Sequence, residues 1–467
     1  MNDADDAATP AARTPSAPTT AQTVPPTAAA TESDTITTGQ YGLLAFLTLL
    51  NVLNFVDRQL LASFANFIMP DLELTNTQFG LLTGFVFIAF YAVAGLFMGA
   101  LADMVHRPRL VAAGVAMWSL LTAASGAARG FLSLAIPRMF IGIGESVLTP
   151  SAMSMLADRF PASRMGLAAG IYYMGVPIGV GVSLLIAGFL GPAIGWRNCF
   201  YALGAIGVVM AVGMLFVKEV PRRRTASQPS TDQAKAPRQS FATIARTLAR
   251  ALGQSPALTL TISGGVIVHF LLGAAAFDQL WLVRERGFDR AEIAQMTGWI
   301  AVVAGVSGNL FGGLGSDWWC RRTGQGRPMF LFWVLAIFAP IGLLYRVAPP
   351  DSIWFWVGMF VAFFQLGAFY GPTFSTVQEL VPANVRSTVV GFYILMLNLV
   401  GLGIGVSVGG LVIDRMIAAE ISQPYTWTLF SFTLVSMAAV PLFFIAGRRF
   451  SVDRARLDEQ ARADAGG

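Results

Sequence analysis

ADRFPASRMGLAAGIYYM (157–174) and QELVPANVRSTVVGFYILM (378–396) are two versions of one segment, with Asp158 over Glu379, Pro161 over Pro382 and Gly170 over Gly391. A second pair follows the same relation: GALAD (99–103) near the end of one apolar run and GLGSD (313–317) near the end of another. Two repeats found independently mean that the chain is built from two related halves. Membrane carriers are often assembled from such pseudo-symmetric units.

Composition places those halves in a membrane. Of 467 residues, 55% are hydrophobic and 12% charged, with a mean hydropathy of +0.62. A soluble domain carries charge on about a quarter of its residues, so an ordinary cytosolic enzyme is excluded. The net charge of +5 is spread over short segments between apolar stretches. That distribution reads as membrane topology and not as nucleic-acid binding. Apolar segments recur from Tyr41 to Ile445 and resolve into twelve spans, each too long for a barrel strand. The fold class is therefore an all-α membrane protein with two six-helix bundles. Residues 1–40 form a tail whose Ala, Thr and Pro content predicts disorder. Residues 41–217 form the first bundle, 218–256 a linker, 257–447 the second bundle and 448–467 a second tail.

Counting basic residues orients the chain. With both termini inside, cytoplasmic segments hold 22 of the 31 Lys and Arg, against seven in external loops and two within spans. This bias predicts cytoplasmic termini in a cell inner (plasma) membrane. Cys199 and Cys320 then face opposite sides, and no disulfide is expected. In the linker, Phe241, Ile244, Leu248 and Leu252 share a helical face, with Arg246 and Arg250 elsewhere. An interfacial helix and a surface helix packed on protein both fit that pattern.

Several segments resemble the major facilitator superfamily. GALADMVHRPR (99–109) resembles its loop signature between helices two and three, with His106 in place of the usual glycine. RMFIGIGE (138–145) and GVPIG (175–179) resemble its fourth- and fifth-helix motifs. More narrowly, NFVDRQLLA (54–62), GIGESVLTPSAMSMLADRFP (142–161) and GIYYMGVPIGVG (170–181) resemble the spinster family of lysolipid and sphingolipid transporters, close to its bacterial members. The resemblance implies alternating access between the halves. It also implies that Asp103 and its counterpart Asp317 pair across the halves to lock the outward-facing state. Arg107, Glu379 and Arg386 are further gating candidates at the same helix ends, where solvated termini or helix-dipole partners are the plain alternative.

The remaining chemistry lies in charges at mid-membrane depth, which are costly there. Asp57 and Arg58 are adjacent in the first span; Glu145 sits in the fourth, with Arg138 two turns nearer the exterior. Their formal charges cancel, and the repeat-related positions around Met359 and Leu366 are apolar or glycine. Either this is a fixed ion network joining helices one and four, or it is a switchable cluster in which the carboxylates carry protons. In the second case the arginines trade between the carboxylates and an anionic headgroup. His269 in the seventh span and Asp278 near its outer end are the second-half candidates. A packing role for the histidine, and an outer gate for the aspartate, fit equally.

These readings predict a secondary transporter coupled to protons, with no other cofactor. The resemblance to the spinster family implies an amphiphilic anionic or zwitterionic substrate such as a lysophospholipid, with the bilayer as partner. A monomer without nucleic-acid partners is expected. A carrier of small organic anions such as sugar acids, a non-transporting receptor and an uncoupled lipid scramblase are the alternatives. No metal-ligand cluster, nucleophile–base pair or nucleotide loop points to an enzyme.

Overall fold

The computed structural model describes residues 38–219, 241–382 and 385–466, and every regular element among them is helical. The disorder expected of the N-terminal tail falls outside the described residues, except that Thr38–Gln40 already belong to the first helix. Most of the linker, 220–240, also lies outside them.

The first half begins with α1 (Thr38–Ser63), extended by a short helix, Ala65–Asp71. Then come α2 (Asn76–Thr83 with Phe85–Met104), α3 (Arg107–Gly126) and α4 (Phe131–Glu145 with Leu148–Arg159). The helix Ala162–Tyr173 opens α5, which steps at Met174. Pro177 lacks the N–H that would bond Tyr173 four residues back, which accounts for the step. Eleven stretches are long and apolar enough to cross a membrane, and one of them, Arg164–Leu215, has 52 residues. At ~1.5 Å per residue it would measure roughly 78 Å, against ~30 Å of hydrocarbon. Gly195 (φ 80, ψ 156) folds it back on itself, a conformation open to a residue without Cβ. The two parts are α5 and α6 (196–215), and the spans number twelve.

The second half repeats the plan with α7 (Pro256–Ala275 with Asp278–Arg284), α8 (Arg290–Thr323), α9 (Arg327–Val347) and α10 (Ile353–Glu379). It closes with α11 (Arg386–Leu395, π-helical Met396–Ile404, Gly405–Ala418) and α12 (Pro424–Ser436 with Ala439–Gly466). The linker helix, Phe241–Gln254, lies on protein. Leu248, Ala251 and Leu252 pack against the cluster containing Leu258, Val377 and Leu380, while Arg246 and Arg250 lie off that contact. The C-terminal tail continues α12, and the Asp453 carboxylate accepts from Ser255 Oγ (3.0 Å) and Ala257 N (2.8 Å), capping α7.

Both described termini lie at one end of the bundle, called here the terminal end; the loop after α1 lies at the far end. The halves meet along two seams toward the far end. On one, α5 meets α8 so closely that a Cβ on Gly181 would lie 2.3 Å from Val302 Cγ2 and 2.8 Å from Gly298 O. Gln295 Nε2 donates to Gly188 O (3.0 Å) on the same seam. On the other, α2 meets α11, with a Cβ on Gly410 placed 2.2 Å from Asn76 O. Asn66 Nδ2 adds a bond to Gln279 O (2.7 Å).

Candidate substrate site

Four side chains expected to carry chemistry converge between α1 and α4, but they do not form one network. Arg58 Nε and Nη2 both donate to Glu145 Oε2, at 3.1 and 2.9 Å. The Glu145 side chain is wholly buried; that of Arg58 is 20% exposed, so the guanidinium is the end open to a ligand. Three rings surround it: Phe55, Phe87 and Tyr91, with centroids 5.0, 5.2 and 4.5 Å from its central carbon. Phe87 and Tyr91 lie four residues apart on α2 and stack at 5.9 Å. A Cβ on Gly142 would stand 2.7 Å from Phe87 O, so this glycine of α4 lets α2 come close enough to bring its rings over the arginine.

Arg138 makes no direct hydrogen bond to a carboxylate among the described residues, though the charges of Glu145 and Asp57 both act on it. Its Nη1 and Nη2 donate long bonds to the backbone oxygens of Asp57 (3.5 Å) and Arg58 (3.4 Å), and its guanidinium covers the Phe87 ring at 4.8 Å. Asp57 is buried beside Trp118 and Thr122 of α3. Both its carboxylate oxygens are without a hydrogen-bond partner among the described residues, as are Glu145 Oε1, Arg138 Nε and Asn54 Nδ2. A buried polar atom left unmatched costs about 1–3 kcal/mol. Such a concentration between α1, α3 and α4 is therefore poor scaffolding.

The second-half candidates separate. His269 is buried in α7, its Nδ1 3.0 Å from Gly265 O and its Nε2 3.1 Å from the Tyr370 hydroxyl on α10. Asp278 does not bridge the halves: it accepts from Arg346 Nη1 of α9 at 2.7 Å, inside its own half. Trp281 and Tyr345 lie against that arginine.

At the terminal end the ion pairs seen among the described residues each join groups of one half, and the two sets are related by the repeat. Arg107, at the start of α3, bonds Asp158 of α4, Glu219 (Nε to Oε1, 2.6 Å) and Ser154 Oγ (2.8 Å). Arg327, at the start of α9, bonds Glu379 of α10 and Asp317 of α8 (2.6 Å). Asp317 is thus held by its own half in this conformation. Arg386 lies beside Gln378 and Glu379. The Asp103 side chain lies outside the described residues.

At the far end, the helix Asn76–Thr83 is capped from both halves. Thr75 Oγ1 accepts from Gln78 N, and Gln78 Oε1 from Thr75 N, both at 3.1 Å. The next two amides point at the other half. Asp414 of α11 accepts from Asn76 N (3.2 Å) and Nδ2 (2.8 Å) on one oxygen, and from Thr77 N (2.7 Å) and Oγ1 (2.6 Å) on the other. The Tyr425 hydroxyl donates to Asn76 Oδ1 at 2.6 Å. Within the first half, Asp71 is bonded by Arg197 and by Trp196 Nε1 (3.0 Å). The arginine bond holds its carboxyl below the usual carboxylate range.

Sequence reasoning missed the aromatic shell, Arg346, Arg327, Asp414 and Tyr370. Of these, Asp414 alone left a signal: a lone acid within an apolar run, a turn before the end of α11.

Two six-helix halves that meet at one end, with buried charges between α1 and α4 of the first, have the plan of a membrane transporter. The chain belongs to the Major Facilitator Superfamily, whose family profile matches residues 47–406. It is 27% identical to an MFS-type efflux pump of Mycolicibacterium smegmatis, over 80% of this chain and 85% of that protein. It is 28% identical to the hexuronate transporter of Bacillus subtilis, over 80% and 88%. A bacterial homologue of the human lysosomal transporter Spinster, crystallised inward-facing and unoccupied, matches with a TM-score of 0.76 at 25% identity, covering 89% of this chain and 98% of that one. The chain is a transporter with a spinster-like fold.

Proposed function

We propose that the chain moves a single-chain lipid with a phosphate or carboxylate headgroup, coupled to protons. The observation that carries this is the Arg58 site: one partly open guanidinium, ringed by three aromatic side chains and tied to a carboxylate by a single oxygen. A planar guanidinium can bond two oxygens of an anionic headgroup, and the rings offer apolar surface where a chain would begin. Protonation of Glu145 releases Arg58 to the headgroup; loss of that proton draws the arginine back to the carboxylate. Asp57 is a second proton carrier, and Arg138 the reserve cation. The excess of basic residues at the terminal end supports a cytoplasmic assignment for it, which makes this conformation inward-facing. In the opposite conformation Asp103 and Asp317 face partners across the closed terminal end.

In proteoliposomes, Glu145→Gln is expected to abolish the dependence of lysolipid transport on a pH gradient. Full pH-dependent transport by that variant would defeat the proton role. A second reading, a carrier of small organic anions, is favoured by the likeness to the hexuronate transporter over 88% of its length. Thermal stabilisation of the purified protein by lysolipids and by sugar acids separates the two, and stabilisation by the acids alone overturns the lipid reading.

A further inference from the structure

In the second half, His269 and Tyr370 form a polar pair whose hydrogen-bond polarity can be derived. The histidine is fixed on three sides. Its Nδ1 meets the Gly265 carbonyl, and its ring packs against Phe369 and Tyr370 at 5.5 and 5.4 Å. At Gly401, α11 approaches so closely that a Cβ there would lie 2.5 Å from His269 Cβ. A carbonyl oxygen only accepts, so in the uncharged ring Nδ1 carries the proton and Nε2 is bare. The bond of 3.1 Å between Nε2 and the Tyr370 hydroxyl then has one sense: the tyrosine donates. With His269 uncharged, its single proton is committed to that ring, and its oxygen offers only lone pairs to the rest of its surroundings.

Tyr370 is partly exposed and lies within electrostatic reach of Arg58, and the two are not hydrogen-bonded to each other. The Tyr370 oxygen is thus an acceptor of the second half near the guanidinium of the first. We propose that Tyr370, oriented by His269, is the second-half contact of the headgroup site and selects headgroups carrying a hydrogen-bond donor, an ammonium N–H or a hydroxyl, beside the anion. An anion flanked by a group without such a donor leaves that oxygen unmatched. Tyr370 is the binding residue and His269 the positioning residue. The inference rests on the lipid reading above.

Two amphiphiles of equal chain length test it: hexadecylphosphoethanolamine, with ammonium N–H donors, and hexadecylphosphocholine, with none. Binding to the full-length protein in nanodiscs is expected to favour the ethanolamine compound about tenfold, the worth of one good hydrogen bond. Tyr370→Phe keeps the ring and is expected to abolish that preference by weakening ethanolamine binding alone. His269→Phe frees the hydroxyl proton for donation to the anion of either compound and should narrow the preference by strengthening choline binding, whereas His269→Gln, which restores an acceptor, should keep more of it. Equal affinities in the unaltered protein, or an equal loss for both compounds in Tyr370→Phe, overturns the inference and leaves the lipid reading standing. Failure of both compounds to bind overturns the two together.

Discussion

The far end and the terminal end are both polar, yet they use polarity in opposite ways. At the terminal end the strong charges stay at home: Arg107 binds acids of the first half and Arg327 acids of the second. These ties stiffen each bundle. At the far end the contacts cross the boundary. They consist of a carboxylate on helix amides, a tyrosine on an asparagine and amide groups on carbonyls. Bonds of this kind exchange readily for water, each with a net worth of about 1 kcal/mol. A carrier needs rigid halves and a reversible seam, and the two kinds of contact are distributed accordingly.

The comparison breaks most severely at Gly181. A valine there meets Val302 and the backbone of α8 below contact distance, and overpacking of about 3 kcal/mol would disfavour far-end closure roughly a hundredfold. Spin labels at Glu73→Cys and Glu420→Cys should report a separated far end, with transport lost. Next, Arg107→Ala leaves two acids without their cation. It should lower the stability of the protein by about 3 kcal/mol, read as an earlier unfolding midpoint, while the label distance at the far end stays unchanged. Asp414→Ala should do the reverse. Losing the cross-half cap costs about 2 kcal/mol and shifts the far end toward open about 30-fold, with little change in unfolding.

The smallest effect belongs to Asp71 and Arg197, a far-end pair that does not cross the halves. The Asp71 carboxyl is held below its ordinary range, so the pair contributes stability above pH ~4 and loses it as pH falls through the lowered value. Both side chains are about 40% exposed, and the contribution is a few tenths of a kcal/mol. Asp71→Asn should therefore differ from the unaltered protein at neutral pH and match it in strong acid, with the label distance unmoved throughout.

The span pattern was legible because apolar length is a local property: about 20 residues must cross hydrocarbon wherever they lie in the chain. The buried charges were legible for the same reason, each being conspicuous within its own run. Their partners were not. Arg138 and Asp57 balance on paper, yet the arginine rests on backbone oxygens while the carboxylate sits beside α3. Nothing beside Asp278 in the sequence marked Arg346, 68 residues away, as its partner. Phe87 and Tyr91 are unremarkable members of an apolar helix until Gly142 lets α2 approach α4, where Arg138 of α4 meets Phe87 and Arg58 of α1 meets both rings.

By itself the sequence determined the helical membrane class, the two-half plan, the superfamily resemblance and the four charged positions of the first half. Those follow from hydropathy, repeats and the cost of charge in lipid, all of which act along the chain. Only the tertiary structure decided which end is closed, that Asp414 caps a helix of the opposite half, and that Glu145 holds Arg58 while the Asp57 carboxylate accepts no hydrogen bond among the described residues. Those depend on how helices distant in sequence approach each other, and side chains in different helices carry no record of that distance in their order.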